Sequence, residues 1–243
     1  MMEEGLAIEE ARKHCCFVDS KGLVVQSRTD LNGHKLEFRP RIRVYFRLPH
    51  RCKNLTADRH HRRFRPGRQF TKEVLEAMAE INERPIIFSL SNPTSKTECT
   101  TEQAYIYTDG RAVFASGSPF PEMRYKGCKF VPRQGNNVYI FPGVGMGVMA
   151  SGATQVTNEM FLAAARTLAN EVSETDLRIG RIYPPLPRSR DVSKEIAIAV
   201  ADLAYRRGHA SRPRPENLEE YIDSLMYTPE YQSRIEGLGR RTY

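Results

Sequence analysis

The sequence predicts an α/β domain of three layers, with helices on both faces of a mostly parallel sheet. Short apolar runs alternate along the chain with segments that have helical periodicity. The clearest apolar runs are bounded by proline, glycine or asparagine, as buried parallel strands usually are. The chain has 243 residues, which is enough for one substantial hydrophobic core.

The first elements are predicted between residues 3 and 25. Residues 3–13 are good helix formers, and the apolar stretch at 15–18 favours a strand. Residues 20–22 (Ser-Lys-Gly) favour a turn. Residues 23–25 then either extend the sheet or pack beneath a loop.

A helix and a buried strand are predicted after residue 70. Thr71 can cap a helix that continues to Ile81, with Val74 and Met78 on the same face. Residues 85–90 (PIIFSL) form a continuous apolar run between two proline-containing segments. This pattern is typical of a strand that is buried on both faces.

A second helix and strand follow in the same order. Thr100 or Thr101 can cap a helix that continues to Ile106. Residues 111–116 (RAVFAS) are the next apolar run, and a Gly-Ser-Pro turn ends it. The repetition of helix and strand favours parallel pairing, because a helix is the usual crossover between parallel strands.

The C-terminal part is predicted to be mainly helical. An apolar run at 138–141 precedes a helix of small residues at 143–150, which suits close packing. Residues 159–172 have helical periodicity, and Asp191 can cap the helix after it. A last helix is predicted near residues 216–226.

The positive charge of the chain is concentrated in one segment. The whole chain carries +8, but residues 39–68 hold ten arginines, one lysine and one aspartate, which leaves −2 for the remainder. This segment lacks periodicity and contains three prolines, so we interpret it as a solvated, disordered insert. Binding of nucleic acid through charge and stacking is an alternative. Zn²⁺ binding by its histidines and cysteine is another, although their spacing fits no standard zinc finger.

Composition argues against membrane and secreted classes. No window approaches about 18 consecutive apolar residues, the length that a transmembrane helix needs. The acidic N-terminal segment lacks the features of a secretory signal or a transit peptide. The five cysteines are odd in number and irregularly spaced, which favours free thiols in a reducing compartment.

Asn92 is the first candidate for a binding residue on chemistry alone. It follows the strand predicted at 85–90, and Pro93 favours an extended backbone before it. An amide both donates and accepts hydrogen bonds, so it can hold a carboxylate or hydroxyl without adding charge. The alternative is an asparagine that simply favours the turn before proline. The loop at 116–118 is predicted at the same edge of the sheet, where ligands of parallel sheets bind.

Five motifs, in their order and spacing, resemble those of malic enzymes. They are ERPIIFSLSNPT (83–94), RAVFASGSPF (111–120), QGNNVYIFPGV (134–144), GRIYPPL (180–186) and RDVS (190–193). The resemblance implies a truncated, Rossmann-like NAD(P)-binding domain with C-terminal helices. It divides the chain into a partial nucleotide-binding region (1–38), the Arg-rich insert (39–68), and the NAD(P)-binding domain with its C-terminal helices (69–231).

The resemblance implies oxidative decarboxylation of malate to pyruvate and CO₂ with NAD(P)⁺. The malate-binding asparagines of the family correspond here to Asn92 and Asn136. Arg133 departs from the family, which usually has glycine at this position.

Residues 17–23 resemble the family's second nucleotide-binding strand. Asp19 can then accept from an adenosine ribose hydroxyl, while Ser20 and Lys21 can contact a 2′-phosphate and so favour NADP slightly over NAD. Asn92 is a fourth candidate for cofactor contact. The alternative for residues 19–21 is an ordinary polar turn.

The resemblance also predicts which groups this chain lacks. In malic enzymes the acid/base lysine and tyrosine, the carboxylates for Mg²⁺ or Mn²⁺, and the glycine-rich phosphate loop precede the matching part. Residues 143–148 lack the third glycine of a G-x-G-x-x-G motif. We therefore assign no catalytic or metal residue and expect the chain to be inactive by itself.

Two other functions remain open from the sequence. One is a catalytically silent chain that binds a full-length malic enzyme subunit. The other is an Arg-rich nucleic-acid-binding protein, which the near-neutral remainder makes the less favoured of the two. The expected compartment is the cytoplasm or the mitochondrion, because the family includes members in both.

Overall fold

A computed structural model describes residues 5–13, 17–19, 22–24, 29–36 and 69–227. The chain divides into two compact units, the first ending at Gly135 and the second beginning at Asn136. The Arg-rich segment at 39–68 lies outside the described residues. Within the described part, no helix is both long and apolar enough to cross a lipid bilayer.

The N-terminal elements are short. They are α1 (Ile8–Lys13), β1 (Val18–Asp19), β2 (Gly22–Leu23) and α2 (Gly33–Leu36). The sequence predicted a strand of the main sheet here, but β1 instead pairs with β2 in a separate two-stranded antiparallel sheet. The two-residue connection between them explains this, because parallel strands need a much longer crossover.

The first unit contains two helix–strand pairs in succession, as predicted. They are α3 (Lys72–Ile81), β3 (Ile86–Ser89), α4 (Thr101–Tyr107) and β4 (Val113–Ser116). Strands β3 and β4 are parallel, and Ser89 at the end of β3 lies opposite Ser116 at the end of β4. The predicted α/β class is therefore confirmed.

A capping box starts α4 at the first of the two predicted positions. The Thr100 hydroxyl accepts from the backbone N–H of Gln103 at 3.2 Å. The Gln103 side-chain oxygen accepts in return from the Thr100 N–H at 3.0 Å. These two bonds satisfy backbone donors that the first helical turn leaves without partners.

Helices α3 and α4 pack against one face of the sheet. The core between them is formed by Leu75, Ile87, Cys99, Ala104, Tyr105, Ala112 and Phe114. Side chains alternate along β3, so Ile87 is 4% exposed while its neighbour Ile86 is 62% exposed. The residues that α3 buries are Leu75 and Ala77, whereas Ile81, predicted on the same face as Val74 and Met78, is 46% exposed.

A hairpin that the sequence analysis did not predict follows β4. Its strands are β5 (Met123–Tyr125) and β6 (Cys128–Phe130). Lys126 and Gly127 connect them with φ angles of 49° and 78°, both in the left-handed region. Two such residues in succession form the tight turn that matches the twist of a hairpin.

Strand β7 (Arg133–Gln134) completes the parallel sheet, whose order is β3-β4-β7. Gln134 lies opposite Ser116, which in turn lies opposite Ser89. The carboxyl ends of the three strands therefore lie side by side. In parallel α/β sheets, ligands bind at this edge.

The second unit is helical, as predicted. Its helices are α5 (Phe141–Ser151), α6 (Asn158–Asn170), α7 (Glu174–Arg178), α8 (Ser189–Arg206) and α9 (Leu218–Leu225). Asp191 was predicted to cap α8 but lies inside its first turn, because the helix begins two residues earlier. A carboxylate there still interacts favourably with the positive end of the helix dipole.

Helices α5 and α8 approach each other closely. Gly143 and Gly147 of α5 are buried, and a side chain on either would meet α8. Gly145 lies between them in sequence but faces open space. The helix of small residues that the sequence predicted is therefore a close-packing element.

Candidate functional site

The loop after β3 holds Asn92 in a defined orientation. The Ser118 hydroxyl donates to Oδ1 of Asn92 at 2.6 Å, and Ser118 itself is buried. Asn92 is exposed, and no described residue accepts from its Nδ2 group. The amide therefore uses its oxygen within the protein and has its two N–H donors available for a ligand.

Gly117 allows the loops after β3 and β4 to approach each other. Its N–H donates to the carbonyl of Ser89 at 2.8 Å. A Cβ at this position would lie 2.1 Å from the carbonyl oxygen of Leu90 and 3.1 Å from Oδ1 of Asn92. Only glycine leaves room for this approach.

The carboxylate of Glu98, near the end of the loop that carries Asn92, accepts hydrogen bonds from residues near its start. Glu98 accepts from the Ser91 N–H at 3.2 Å, from the Ser91 hydroxyl, and from the Ser89 hydroxyl at 3.0 Å. Partial burial acts to raise the pKa of the Glu98 carboxyl, but these hydrogen bonds, led by the Ser91 hydroxyl, hold the pKa below its ordinary value. Glu98 is therefore an ionised acceptor at neutral pH.

The third strand adds a further contact at this edge. Nε2 of Gln134 donates to the carbonyl of Gly117 at 3.0 Å. Asn136, the other predicted malate-binding residue, is the first residue of the second unit. There its Oδ1 accepts from the Val138 N–H at 2.9 Å and caps a 3₁₀ turn (Asn137–Tyr139).

The predicted nucleotide-binding residues are only partly described. Asp19 is the last residue of β1, and its side chain is not among the described ones. Ser20 and Lys21 lie outside the described residues. Their assignment to the nucleotide stays a prediction.

Two residues at this site were missed by sequence reasoning. Ser118 could have been found, because it lies in the polar loop predicted at the same edge as Asn92. Glu98 had no such signal, since it follows a loop of polar residues and matches no periodic pattern. Only its hydrogen bonds reveal its position.

A cavity of about 380 Å³ lies elsewhere in the first unit. It contains none of the predicted site residues. Its lining consists of Thr100, Thr101, Glu102, Phe120, Pro121, Met123 and Arg124.

Comparison with known families decides the family of this chain. The family model described as malic enzyme, NAD binding domain, matches residues 64–205. The chain belongs to the malic enzyme family. The match covers β3, β4 and β7 as well as the loops that carry Asn92 and Ser118, so the site described above lies within the part that malic enzymes share.

Curated malic enzymes match almost the whole chain. The NADP-dependent malic enzyme of Vitis vinifera is 49% identical over 228 residues, which cover 93% of this chain and 39% of the relative. The mitochondrial NAD-dependent malic enzyme of Ascaris suum is 42% identical over 245 residues, which cover 97% of this chain and 37% of the relative. The chain thus spans about two fifths of the length of these relatives.

Solved structures agree with this assignment. The malic enzyme of Pyrococcus horikoshii Ot3 is 30% identical, with a TM-score of 0.51 over 66% of this chain and 33% of that one. The malic enzyme of Entamoeba histolytica is 26% identical, with a TM-score of 0.50 over 63% of this chain and 28% of that one. The Rossmann-like fold that the sequence predicted is confirmed.

The described residues do not fit the divalent metal of malic enzymes. Among them, no three histidine, cysteine, aspartate or glutamate side chains lie close enough together to hold a metal ion. The edge of the sheet offers neutral amide and hydroxyl groups instead, namely Asn92, Ser118 and Gln134. These groups suit an organic ligand with carboxylate, carbonyl or hydroxyl oxygens.

Proposed function

We propose that this chain supplies part of the malate- and nicotinamide-nucleotide-binding surface of a malic enzyme. The reaction is the oxidative decarboxylation of malate to pyruvate and CO₂ with NAD(P)⁺. The observation that carries the proposal is the Asn92 amide, which Ser118 orients at the carboxyl end of β3. The family match over residues 64–205 supports it.

The Asn92 amide is chemically suited to malate. Its free N–H groups can donate to a carboxylate or to the hydroxyl oxygen of the substrate, and they bring no charge that would have to be neutralised. Since Ser118 holds the oxygen, the amide does not need to reorient when a ligand arrives. Asn136 is proposed as a second malate-binding residue on the family motif alone.

The proposed cofactor is NAD or NADP, with NADP slightly favoured. Malic enzymes named for each nucleotide are similar to this chain. Asp19, Ser20, Lys21 and Asn92 are the proposed contacts, and a 2′-phosphate near Lys21 is the reason for the preference. We assign the Mg²⁺ or Mn²⁺ of the reaction to groups other than the described residues.

The proposed compartment is the cytoplasm or the mitochondrion. The relatives include a mitochondrial enzyme from Ascaris suum and chloroplastic enzymes from Oryza sativa and Zea mays. The compartment thus varies among proteins that are similar to this chain.

Removal of the Asn92 amide is expected to weaken malate binding. Asn92→Ala should raise the Kd for malate about tenfold or more, because a hydrogen bond to a charged group is lost. Asn92→Asp should weaken it further, since a second carboxylate would then face the substrate carboxylate. Isothermal titration of the 243-residue chain with malate measures both effects.

Asn158→Ala is the matched control. Asn158 is also exposed and lies at the start of α6, where its side chain makes no hydrogen bond among the described residues. Its substitution should leave the Kd unchanged. Failure of the unmodified chain to bind malate, or equal binding by Asn92→Ala, would exclude the proposed role of Asn92.

A second candidate function is association with a full-length malic enzyme subunit. The face of β3 opposite the core favours it, because Ile86 is 62% exposed, Phe88 39% and Leu90 46%. Parallel sheets are normally covered on both faces, and an exposed apolar patch marks an interaction surface.

This association predicts a specific effect of charge on the β3 face. Ile86→Lys should weaken binding to a full-length malic enzyme at least about tenfold, because a charge cannot be buried there without a partner. Ile106→Lys is the control, since Ile106 is 39% exposed on α4. Size-exclusion chromatography of mixtures measures the association. Equal behaviour of the two variants, or the absence of any complex, would contradict it.

A further inference from the structure

The side chain of Glu98 links the two ends of the loop that carries Asn92. The loop leaves β3 at Ser89 and returns to the start of α4 through Glu98. The two carboxylate oxygens of Glu98 accept hydrogen bonds from Ser89 and Ser91 on the outgoing side. Glu98 therefore connects the outgoing and the returning part of the loop directly.

Neighbouring hydroxyls reinforce this connection. The Ser89 side chain is fully buried, and its Oγ accepts from the Cys99 N–H at 3.0 Å. The Thr97 hydroxyl lies 2.6 Å from the same Oγ. The residues on either side of Glu98 are thus bound to the end of β3 as well, which fixes where the carboxylate lies.

The contact with Ser91 reaches the site itself, because Ser91 directly precedes Asn92. Its backbone N–H and its hydroxyl both donate to Glu98. On the other side of Asn92, Ser118 donates to the amide oxygen. The orientation of Asn92 therefore has a backbone support from Glu98 and a side-chain support from Ser118.

The two oxygens of Glu98 have different partners. Oε2 accepts from the Ser91 N–H and from the Ser89 hydroxyl, while Oε1 accepts from the Ser91 hydroxyl. A glutamine can keep an oxygen at the first position, and its N–H₂ group can donate to the Ser91 hydroxyl, which accepts as well as donates. Alanine at this position removes both acceptors and leaves the Ser91 backbone N–H without this partner.

We propose that Glu98 is a positioning residue, which holds the backbone before Asn92 so that the amide donors face the malate site. The part of this inference that concerns malate rests on the proposed function. The part that concerns the conformation of the loop does not.

The test is a ¹H–¹⁵N NMR comparison of the full chain with its Glu98→Ala variant. The Asn92 side-chain amide pair is assigned by its loss in Asn92→Asp. In Glu98→Ala this pair should shift or broaden, and solvent exchange of the Ser91 amide should rise about tenfold. Glu102→Ala replaces an exposed glutamate in the first turn of α4 and should change neither signal.

A folded Glu98→Ala variant with unchanged Asn92 signals and unchanged Ser91 exchange overturns the proposal. If that variant does not fold, Ser91→Ala decides by the Asn92 signals, because it removes only one hydroxyl donor to Glu98. Malate titration separates the two ideas. If the Glu98 variant alters the Asn92 signals but the unmodified chain binds no malate, the proposed function is excluded and the positioning role remains. Malate binding that Glu98→Ala does not weaken, with unchanged Asn92 signals, would exclude the positioning role and leave the proposed function standing.

Discussion

Replacement of Gly117 by alanine is expected to lower the free energy of unfolding of the first unit by about 3 kcal/mol. The added Cβ would lie 2.1 Å from the carbonyl oxygen and 2.6 Å from the carbonyl carbon of Leu90. Both are backbone atoms, so the loop after β3 would have to move. Urea unfolding monitored by far-UV circular dichroism measures the loss.

Gly33→Ala is the matched control for this substitution. A Cβ on Gly33 meets no atom within 4 Å, so no steric penalty is expected. The Gly117 variant should also alter the Asn92 amide signals, because its Cβ would lie 3.1 Å from Oδ1 of Asn92. Similar unfolding midpoints for the two variants would show that the loops can separate at little cost.

Two alanine substitutions on α5 are expected to change stability in opposite directions. At Gly147 a Cβ would lie 2.7 Å from the carbonyl oxygen of Ala197 and 2.8 Å from Cβ of Val200, both on α8. Overpacking of this kind costs about 1–3 kcal/mol or more, which outweighs the gain of about 1 kcal/mol in helix propensity. Gly147→Ala should therefore destabilise the second unit.

Gly145→Ala carries the same propensity gain without the clash, because nothing lies within 4 Å of its Cβ position. It should stabilise the second unit by about 0.5–1 kcal/mol. Thermal unfolding of both variants beside the unmodified chain measures the difference. A shift of the two midpoints in the same direction would show that α5 and α8 are not held as closely as the structure places them.

The local elements with strong sequence signals were predicted well. The runs at 85–90 and 111–116 became β3 and β4, because short apolar runs between chain-breaking residues favour strands. The predicted burial of β3 on both faces was wrong, since Ile86 is 62% exposed. Thr100 was a candidate cap, and the capping box confirms it. These signals are local, so neighbours in sequence suffice to specify them.

Very short strands were missed, whether their partners are near or distant in sequence. Strand β7 has only two residues, and its pairing with β4 makes it a strand. The strands of the β5–β6 hairpin have only three residues each (MRY and CKF), which is too short for their apolar–polar alternation to stand out. The antiparallel pairing of β1 with β2 was likewise not predicted, although the short connection between them requires it.

Patterns along the chain were enough to predict the α/β class, the family through its five motifs, and the position of Asn92 directly after a strand. The direction in which the Asn92 amide faces depends instead on a tertiary contact. Its partner Ser118 is 26 residues away and comes into reach because the parallel register sets Ser89 opposite Ser116. The role of Glu98 was decided in the same way, since a hydrogen bond depends on distance and angle in space and leaves no periodic trace in the sequence.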